Sequence, residues 1–228
     1  MAEHLVGRTG FCIHPRDVVR RVPKVGGTKT VKLDAVRALA PTHVILNVDE
    51  NRKETAEALA EFVPHLVVTH PLAPLDNLAL FRQFGEVFDR RDEAEALCVR
   101  FEEAYAAVME RPLTARNVLY LIWKDPWMTV SPDTYVSRTL ALVGMRTLPA
   151  SAEERYPKLP HLRVQDVDAV LLSTEPYRFG ERHRKEVEAL TGRQAHLVDG
   201  EMTSWYGPRA IAGLGYLKDF AARLAGVS

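Results

Sequence analysis

Aromatic and charged residues gather in five segments of this sequence that each follow a predicted strand. The segments are RTGFCIHP, NVDENRK, KDPWMTV, STEPYRF and DGEMTSWYG. Aromatic rings offer apolar faces with a polar edge, and arginine pairs with carboxylate or phosphate groups through two parallel hydrogen bonds. Because ligands meet a parallel sheet at the carboxyl ends of its strands, these segments predict a site for a large, flat, partly charged ligand. The candidate ligand-binding residues are Arg8, His14, Asn47, Trp127, Tyr177, Arg178, Trp205, Tyr206 and Arg209.

The same segments show little sign that the chain itself binds a metal or catalyses a reaction. Cys12 and His14 have a spacing that could chelate a metal, but their loop offers no certain third ligand. An axial contact from His14 to a cobalt or iron chelate is the better alternative. Ser173 and Ser204 lack a nucleophile elbow, and the glycine pairs match neither a phosphate loop nor a dinucleotide fingerprint. We therefore predict no catalytic residue, no protein metal site and no cofactor, and we place Trp123 in the core because it ends an apolar strand.

The overall composition narrows the class of partner. The 228 residues carry 30 lysines and arginines against 30 aspartates and glutamates, so no bulk charge attracts nucleic acid or an anionic membrane. No apolar run is long enough to span a bilayer, and two cysteines make no disulfide framework. The first ten residues do not read as a signal peptide, so the sequence as written predicts a cytoplasmic protein. We expect a monomer.

Strands alternate with helices along the chain, which predicts an α/β fold with parallel sheets flanked by helices. The strand candidates are His4–Gly7, THVILN, HLVVT, NVLYLIW, AVLLS and HLVD, with KDPWMTV as a turn and a short helix ahead of AVLLS. Apolar residues at spacings of three and four predict one long helix over Arg91–Arg111, capped by Asp92 and ended by Pro112. We interpret this helix as a strut between two lobes, 1–91 and 112–228, with 92–111 as the link. An ordinary surface helix of one domain is the alternative.

The two predicted lobes resemble each other in sequence. Val44-Ile45-Leu46-Asn47 matches Val170-Leu171-Leu172-Ser173 at an offset of 126, and His65-Leu66-Val67 matches His196-Leu197-Val198 at 131. The second lobe opens with a strand and a helix that the first lacks. We therefore expect the chain to be a shortened form of a longer protein, which would be periplasmic if a signal segment has been lost.

The ordered set of segments resembles class III substrate-binding proteins, which serve bacterial ABC importers for vitamin B12, ferric siderophores and haem. The segments are VGGTKTVKLDAVRALAPTHVILN, YLIWKDPWMTVSPDTYVSRTLALVG and SWYGPRAIAGL. RTGFCIHP with NVDENRKE is similar to the cobalamin-binding-like subgroup of helical-backbone metal receptors. The resemblance implies two α/β lobes joined by one long helix, with a corrinoid, ferric siderophore or related metal chelate captured in the cleft between them.

The resemblance also implies an ABC permease as a partner, which meets a surface glutamate on each lobe. Glu50 and Glu54 are the transporter-docking candidates of the first lobe, whereas Gly207 stands where the second lobe would carry its glutamate. A cytosolic enzyme or regulatory protein that reuses the fold without a transporter is the alternative function, because fold alone does not settle function.

Overall fold

Strands and helices alternate through a computed structural model that describes residues 1–110, 115–151, 153–162 and 164–226. The chain divides into two compact units, Met1–His70 and Pro71–Ser228. Each unit is built around its own parallel strands, which confirms the predicted α/β class. Among the described helices, none combines the length and the apolar character that crossing a membrane requires.

The first unit has a two-stranded parallel sheet covered by short helices. Its elements are α1 (Arg16–Val19), α2 (Leu33–Leu39), β1 (His43–Asn47), α3 (Lys53–Ala60) and β2 (His65–Thr69). The strands pair in parallel, with His43 opposite His65 and Asn47 opposite Thr69. Val36, Leu46, Leu59 and Val63 form its buried core.

The predicted strand at His4–Gly7 is wrong. Ala2–His4 forms a single turn of 3-10 helix, and the chain then makes only an isolated bridge between Arg8 and Lys24. A lone bridge gives no ladder because neighbouring residues on either side do not pair.

The second unit is built on a six-stranded sheet. Its helices are α4 (Asp76–Val87), α5 (Arg91–Met109), α6 (Tyr135–Ala141), α7 (Glu181–Thr191), α8 (Gly200–Ser204) and α9 (Arg209–Gly226). Its strands are β3 (Arg116–Trp123), β4 (Trp127–Thr129), β5 (Met145–Thr147), β6 (Lys158–Leu159), β7 (Ala169–Ser173) and β8 (Ala195–Val198). The strand order is β6-β4-β3-β7-β8, and β5 pairs with β3. All five residues of β7 are buried, as expected of a central strand with helices on both faces.

Two predictions in this unit are wrong in detail. The predicted turn KDPWMTV contains β4, which folds back antiparallel to β3, with Leu121 opposite Thr129. Asp125 adopts a left-handed φ of 61° inside this hairpin. The short helix predicted before AVLLS is absent from the described residues of that stretch, and β6, which pairs with β4, lies just ahead of it.

The long helix α5 spans 19 residues and buries Cys98, Phe101 and Val108 against α4 and α9. Asp92 lies inside the first turn and Arg90 holds the N-cap position without a side-chain bond, so the predicted cap by Asp92 is wrong. Asp92 still favours the helix start through the helix dipole. Arg111 and Pro112 lie outside the described residues, so the predicted lobe boundaries stay a prediction.

Candidate functional site

The carboxyl ends of β7 and β8 are held together by a close approach of the backbone. Ser173 ends β7, and its Oγ donates to the carbonyl oxygen of Glu175 at 2.6 Å while accepting from the Glu175 amide at 3.3 Å. Gly200 starts α8 beside this turn, where a Cβ would lie 2.5 Å from the Ser173 Oγ. Only glycine fits there, so the residues that follow β7 and β8 are brought side by side.

Four residues at this edge, which we call the Trp205 cluster, are the indole of Trp205 and the three charged residues Glu175, Arg209 and Glu201 that are linked to it directly or through one another. The indole Nε1–H of Trp205 donates to Oε2 of Glu175 at 2.7 Å. The Arg209 guanidinium lies over the same ring, with its Cζ 5.5 Å from the ring centroid. Arg209 forms an ion pair with Glu201. The ring of Trp205 is thus held at its edge by a carboxylate and on one face by a cation, which presents it as a fixed, half-exposed aromatic surface.

Burial raises the pKa of the Glu175 carboxyl, although the hydrogen bond from Trp205 acts in the opposite direction. The carboxylates of Glu201 and Asp199 also raise it, whereas Arg209 lowers it. Glu175 therefore sits in an environment in which negative charge outweighs positive charge.

A second group, which we call the aromatic group, lies beside the first along the loop after β7. Trp127 stacks on Phe179 with centroids 6.3 Å apart, and Tyr177 packs against Phe179 at 4.7 Å. Trp123 meets Tyr177 edge-on at 5.5 Å. His183 ties the group together, since its Nδ1 accepts from the Gly180 amide at 3.1 Å and its Nε2 is 3.3 Å from the Tyr177 hydroxyl.

The prediction that Trp123 is a core residue is wrong. Its side chain is 40% exposed, because β3 runs beyond the buried part of the sheet before the hairpin turns. Sequence reasoning therefore missed Trp123 as a site residue. The signal was its place at the carboxyl end of an apolar strand, where side chains leave the core.

Tyr206 is positioned by a buried polar link between α4 and α6. Gly207 has a left-handed φ of 78°, and its amide donates to Oδ1 of Asn77 at 2.6 Å. Nδ2 of Asn77 donates to the Tyr135 hydroxyl at 2.9 Å, and the ring of Tyr135 meets that of Tyr206 edge-on at 5.9 Å. Tyr206 is therefore fixed beside Trp205. Glycine at position 207 adopts without strain the left-handed backbone conformation in which its amide meets Asn77.

In the first unit, the side chains of Arg8 and Asn47 form hydrogen bonds with backbone groups of nearby turns and loops. The guanidinium of Arg8 donates to the carbonyl oxygens of Val19 at 2.6 Å, Thr9 at 3.0 Å and Cys12 at 3.1 Å. Oδ1 of Asn47 accepts the amides of the turn after β1, and its Nδ2 donates to the Thr69 carbonyl oxygen. Both side chains shape the loops in which a ligand was predicted to bind.

The same end of the first unit carries a pair that sequence reasoning did not single out. Nε2 of His70 lies 3.5 Å from Oδ1 of Asp49, and Nζ of Lys29 donates to the Asp49 carbonyl oxygen at 2.5 Å. His14 is partly exposed, and Cys12 Sγ lies 3.4 Å from the Thr9 hydroxyl. Within the described ranges, no group of three or more histidine, cysteine or acidic side chains could hold a metal ion.

The remaining predicted residues lie at the surface. Arg178 is exposed, as are Glu50 in the turn after β1 and Glu54 in the first turn of α3. A groove of about 550 Å³ lies elsewhere in the second unit, between α7, β8 and α9. Its Arg184 pairs with both Glu181 and Glu188, and its Arg223 lies over the ring of Phe220. We therefore take the Trp205 cluster and the aromatic group as the candidate ligand surface.

The candidate ligand surface combines aromatic rings with paired charges. The model of a family described as periplasmic binding protein matches residues 1–189. The chain belongs to this family. A comparison with curated proteins gave no match.

Solved structures show the same fold. The periplasmic vitamin B12 binding protein BtuF of Vibrio cholerae has a TM-score of 0.80 and 13% identity, over 96% of this chain and 88% of its own. The periplasmic heme-binding protein RhuT from Roseiflexus sp. RS-1 has a TM-score of 0.77 and 19% identity, over 95% and 90%. S. aureus IsdE, complexed with heme, has a TM-score of 0.75 and 15% identity, over 95% and 92%. These likenesses establish the fold of a binding protein.

Proposed function

We propose that this protein is the substrate-binding component of an ABC importer and that it captures a metal chelate such as a corrinoid, a haem or a ferric siderophore. Trp205, Tyr206, Trp123, Trp127 and Tyr177 are the ligand-contacting residues of the second unit in this proposal. The chain binds its ligand without transforming it and works outside the cytoplasmic membrane, as its family's description suggests. Cobalt or iron arrives with the ligand.

The fixed ring of Trp205 is the observation that carries this proposal. A ring already held by Glu175 and Arg209 loses little freedom when a flat ligand packs against it. The neighbouring aromatic group extends the apolar surface, so a macrocycle larger than one ring meets several side chains. Two proteins with the same fold are a vitamin B12 binding protein and a protein solved in complex with heme, which supports a planar chelate as the ligand class.

Calorimetric titration with cyanocobalamin, cobinamide, haemin and a ferric siderophore tests the proposal. We expect one of these chelates to bind saturably with micromolar or tighter affinity. Trp205→Ala should weaken that binding at least about fivefold, because stacking on an aromatic surface contributes about 1 kcal/mol. Leu190→Ala, which truncates an exposed side chain on α7, is the matched control and should bind like the wild type.

Thermal unfolding of both variants would show that a loss of binding does not reflect a loss of structure. Absence of heat with all four chelates, from folded protein, would remove the metal chelate from the proposal.

The importer's permease is the proposed protein partner, with Glu50 and Glu54 as docking residues. Both carboxylates are exposed, and they lie four residues apart at the start of α3. Exposed acidic side chains at fixed positions can meet basic residues of a partner and set the orientation of the encounter.

A further inference from the structure

Two of the three arginines that were expected to pair with an anionic ligand, Arg209 and Arg8, are already engaged in this structure, whereas the third, Arg178, is exposed. Arg209 is paired with Glu201 and covers the ring of Trp205. Its Nε is shielded from solvent and finds no hydrogen-bond partner among the described residues, so this edge of the guanidinium is not presented to a ligand. The guanidinium of Arg8 donates hydrogen bonds to three backbone carbonyl oxygens, those of Thr9 and Cys12 in its loop and that of Val19 in α1. Neither guanidinium offers a free two-pronged face to a carboxylate.

The charge left around Trp205 is negative. Three carboxylates, Glu175, Asp199 and Glu201, stand against the single guanidinium of Arg209. Two of these carboxylates have a partner. The Asp199 side chain accepts a hydrogen bond from the Met202 amide at the start of α8, and Glu201 forms an ion pair with Arg209. Among the residues that the structure describes, the neutral indole N–H of Trp205 is the one side-chain donor to the Glu175 carboxylate. Its charge is therefore the least compensated of the three.

The neighbouring aromatic group does not offset this charge. Nζ of Lys124 lies 5.5 Å from the centroid of Trp127, but it is paired with both carboxylate oxygens of Glu186 at 2.6 Å. Lys124 is largely buried by this pair. The positive charge of Lys124 is therefore already neutralised by the Glu186 carboxylate.

We propose that the second unit selects neutral or cationic chelates over chelates that carry carboxylates, and that Glu175 is the residue that discriminates between them. This inference rests on the proposed function, because it names the ligand class of the same surface. A ligand edge with amide N–H groups or a positive charge gains from the Glu175 carboxylate, whereas a propionate or citrate oxygen placed there meets an uncompensated like charge. Amide-rimmed corrinoids fit this chemistry, and dicarboxylate porphyrins do not.

Two pairs of probes that differ only in charge test the inference. The first pair is cyanocobalamin and its monocarboxylic acid derivative, in which one side-chain amide has become a carboxylate. The second is haemin and its dimethyl ester. For the wild type we expect the uncharged member of whichever pair binds to bind about tenfold more tightly at low salt, since one like charge within a few ångströms of a half-buried carboxylate has an effect of that order.

Glu175→Gln is the decisive variant because an amide oxygen can still accept the Trp205 N–H bond while the charge is gone. We expect the preference to shrink to about twofold in this variant. Glu103→Gln, which removes an exposed carboxylate from α5 and changes the net charge by the same amount, should keep the preference of the wild type. Repeating the titrations at 500 mM salt should narrow the gap for the wild type more than for Glu175→Gln.

The outcomes separate the inference from the function on which it rests. Tighter binding of the carboxylate member, or a preference that survives in Glu175→Gln, overturns the charge selection alone and leaves the chelate receptor standing. Binding of a carboxylate-bearing ferric siderophore while these four probes fail also overturns the charge selection alone. Failure of the four probes, of cobinamide and of the ferric siderophore to bind overturns the proposed function and this inference with it.

Discussion

Replacing Gly200 by alanine should damage both stability and ligand binding, although alanine is the better helix former. Gly200 is the first residue of α8, where an added Cβ would lie 2.5 Å from the Ser173 Oγ. It would also lie 2.8 Å from the amide nitrogen and 2.9 Å from the Cβ of Glu175. The Ser173 hydroxyl cannot turn away freely, because it bonds to the Tyr120 hydroxyl and to the Glu175 carbonyl oxygen.

Two opposing effects set the magnitude. Alanine gains at most about 1 kcal/mol over glycine in helix propensity. Forcing one methyl group into a closely packed site costs about 1–3 kcal/mol. We therefore expect Gly200→Ala to lower the free energy of unfolding by about 1–2 kcal/mol. Trp205 caps α8 and Glu175 begins the displaced turn, so we also expect ligand affinity to fall about tenfold, equivalent to about 1.4 kcal/mol.

Urea unfolding and chelate titration measure these two effects. Gly215→Ala is the matched control, because Gly215 lies exposed in α9 with open space around its missing Cβ. This control should raise the free energy of unfolding by up to about 1 kcal/mol and leave binding unchanged. A Gly200→Ala protein as stable as Gly215→Ala would show that α8 can move away from β7, and would refute the close packing from which the prediction is made.

Two further predictions concern docking and alkaline pH. Glu50→Arg combined with Glu54→Arg should lower uptake of the ligand by cells at least tenfold while the dissociation constant stays within about twofold, because only the encounter with the permease is changed. Glu61→Arg, exposed at the other end of α3, is the control, and unchanged uptake in the double variant would contradict the docking role. Burial raises the pKa of the Tyr120 hydroxyl to about 12. Since the unfolded chain ionises this group near pH 10, stability should fall between pH 10 and 12 by on the order of 2–3 kcal/mol, and urea unfolding should show a smaller fall in Tyr120→Phe.

The alternation of apolar runs and periodic helices was enough to predict the α/β class, because both signals are local. Five of the predicted strands, from THVILN to HLVD, appear as β1, β2, β3, β7 and β8. β4 escaped prediction because its three residues pair with β3 only after the chain reverses through Asp125. Short strands depend on a neighbour rather than on their own pattern.

The internal repeat was visible in the sequence, but its register was not. Asn47 and Ser173 both end a strand, and each accepts the amide of the residue two places on, Asp49 and Glu175. Their strand neighbours are Thr69 and Val198, so the structural offset of the second strands is 129, two less than the 131 of the matching words. A shift of two residues in strand alignment leaves every side chain on the same face of the sheet. Matching short apolar segments in the sequence therefore could not reveal the shift.

Side-chain partners were the part of the site that the sequence could not supply. From sequence alone, an arginine in a loop is taken as a cation that a ligand can reach. Only the structure shows whether a carboxylate or carbonyl oxygen of the protein already binds it. Arg209 lies eight residues after Glu201 and pairs with it only because α8 ends at Trp205 and the chain bends back through Gly207. Glu175 reaches Trp205 across 30 residues of sequence because β7 and β8 end side by side. Our proposal that this surface favours a neutral or cationic ligand rests on these two pairings, because Arg209 supports Trp205 and Glu175 has no cationic partner among the described residues.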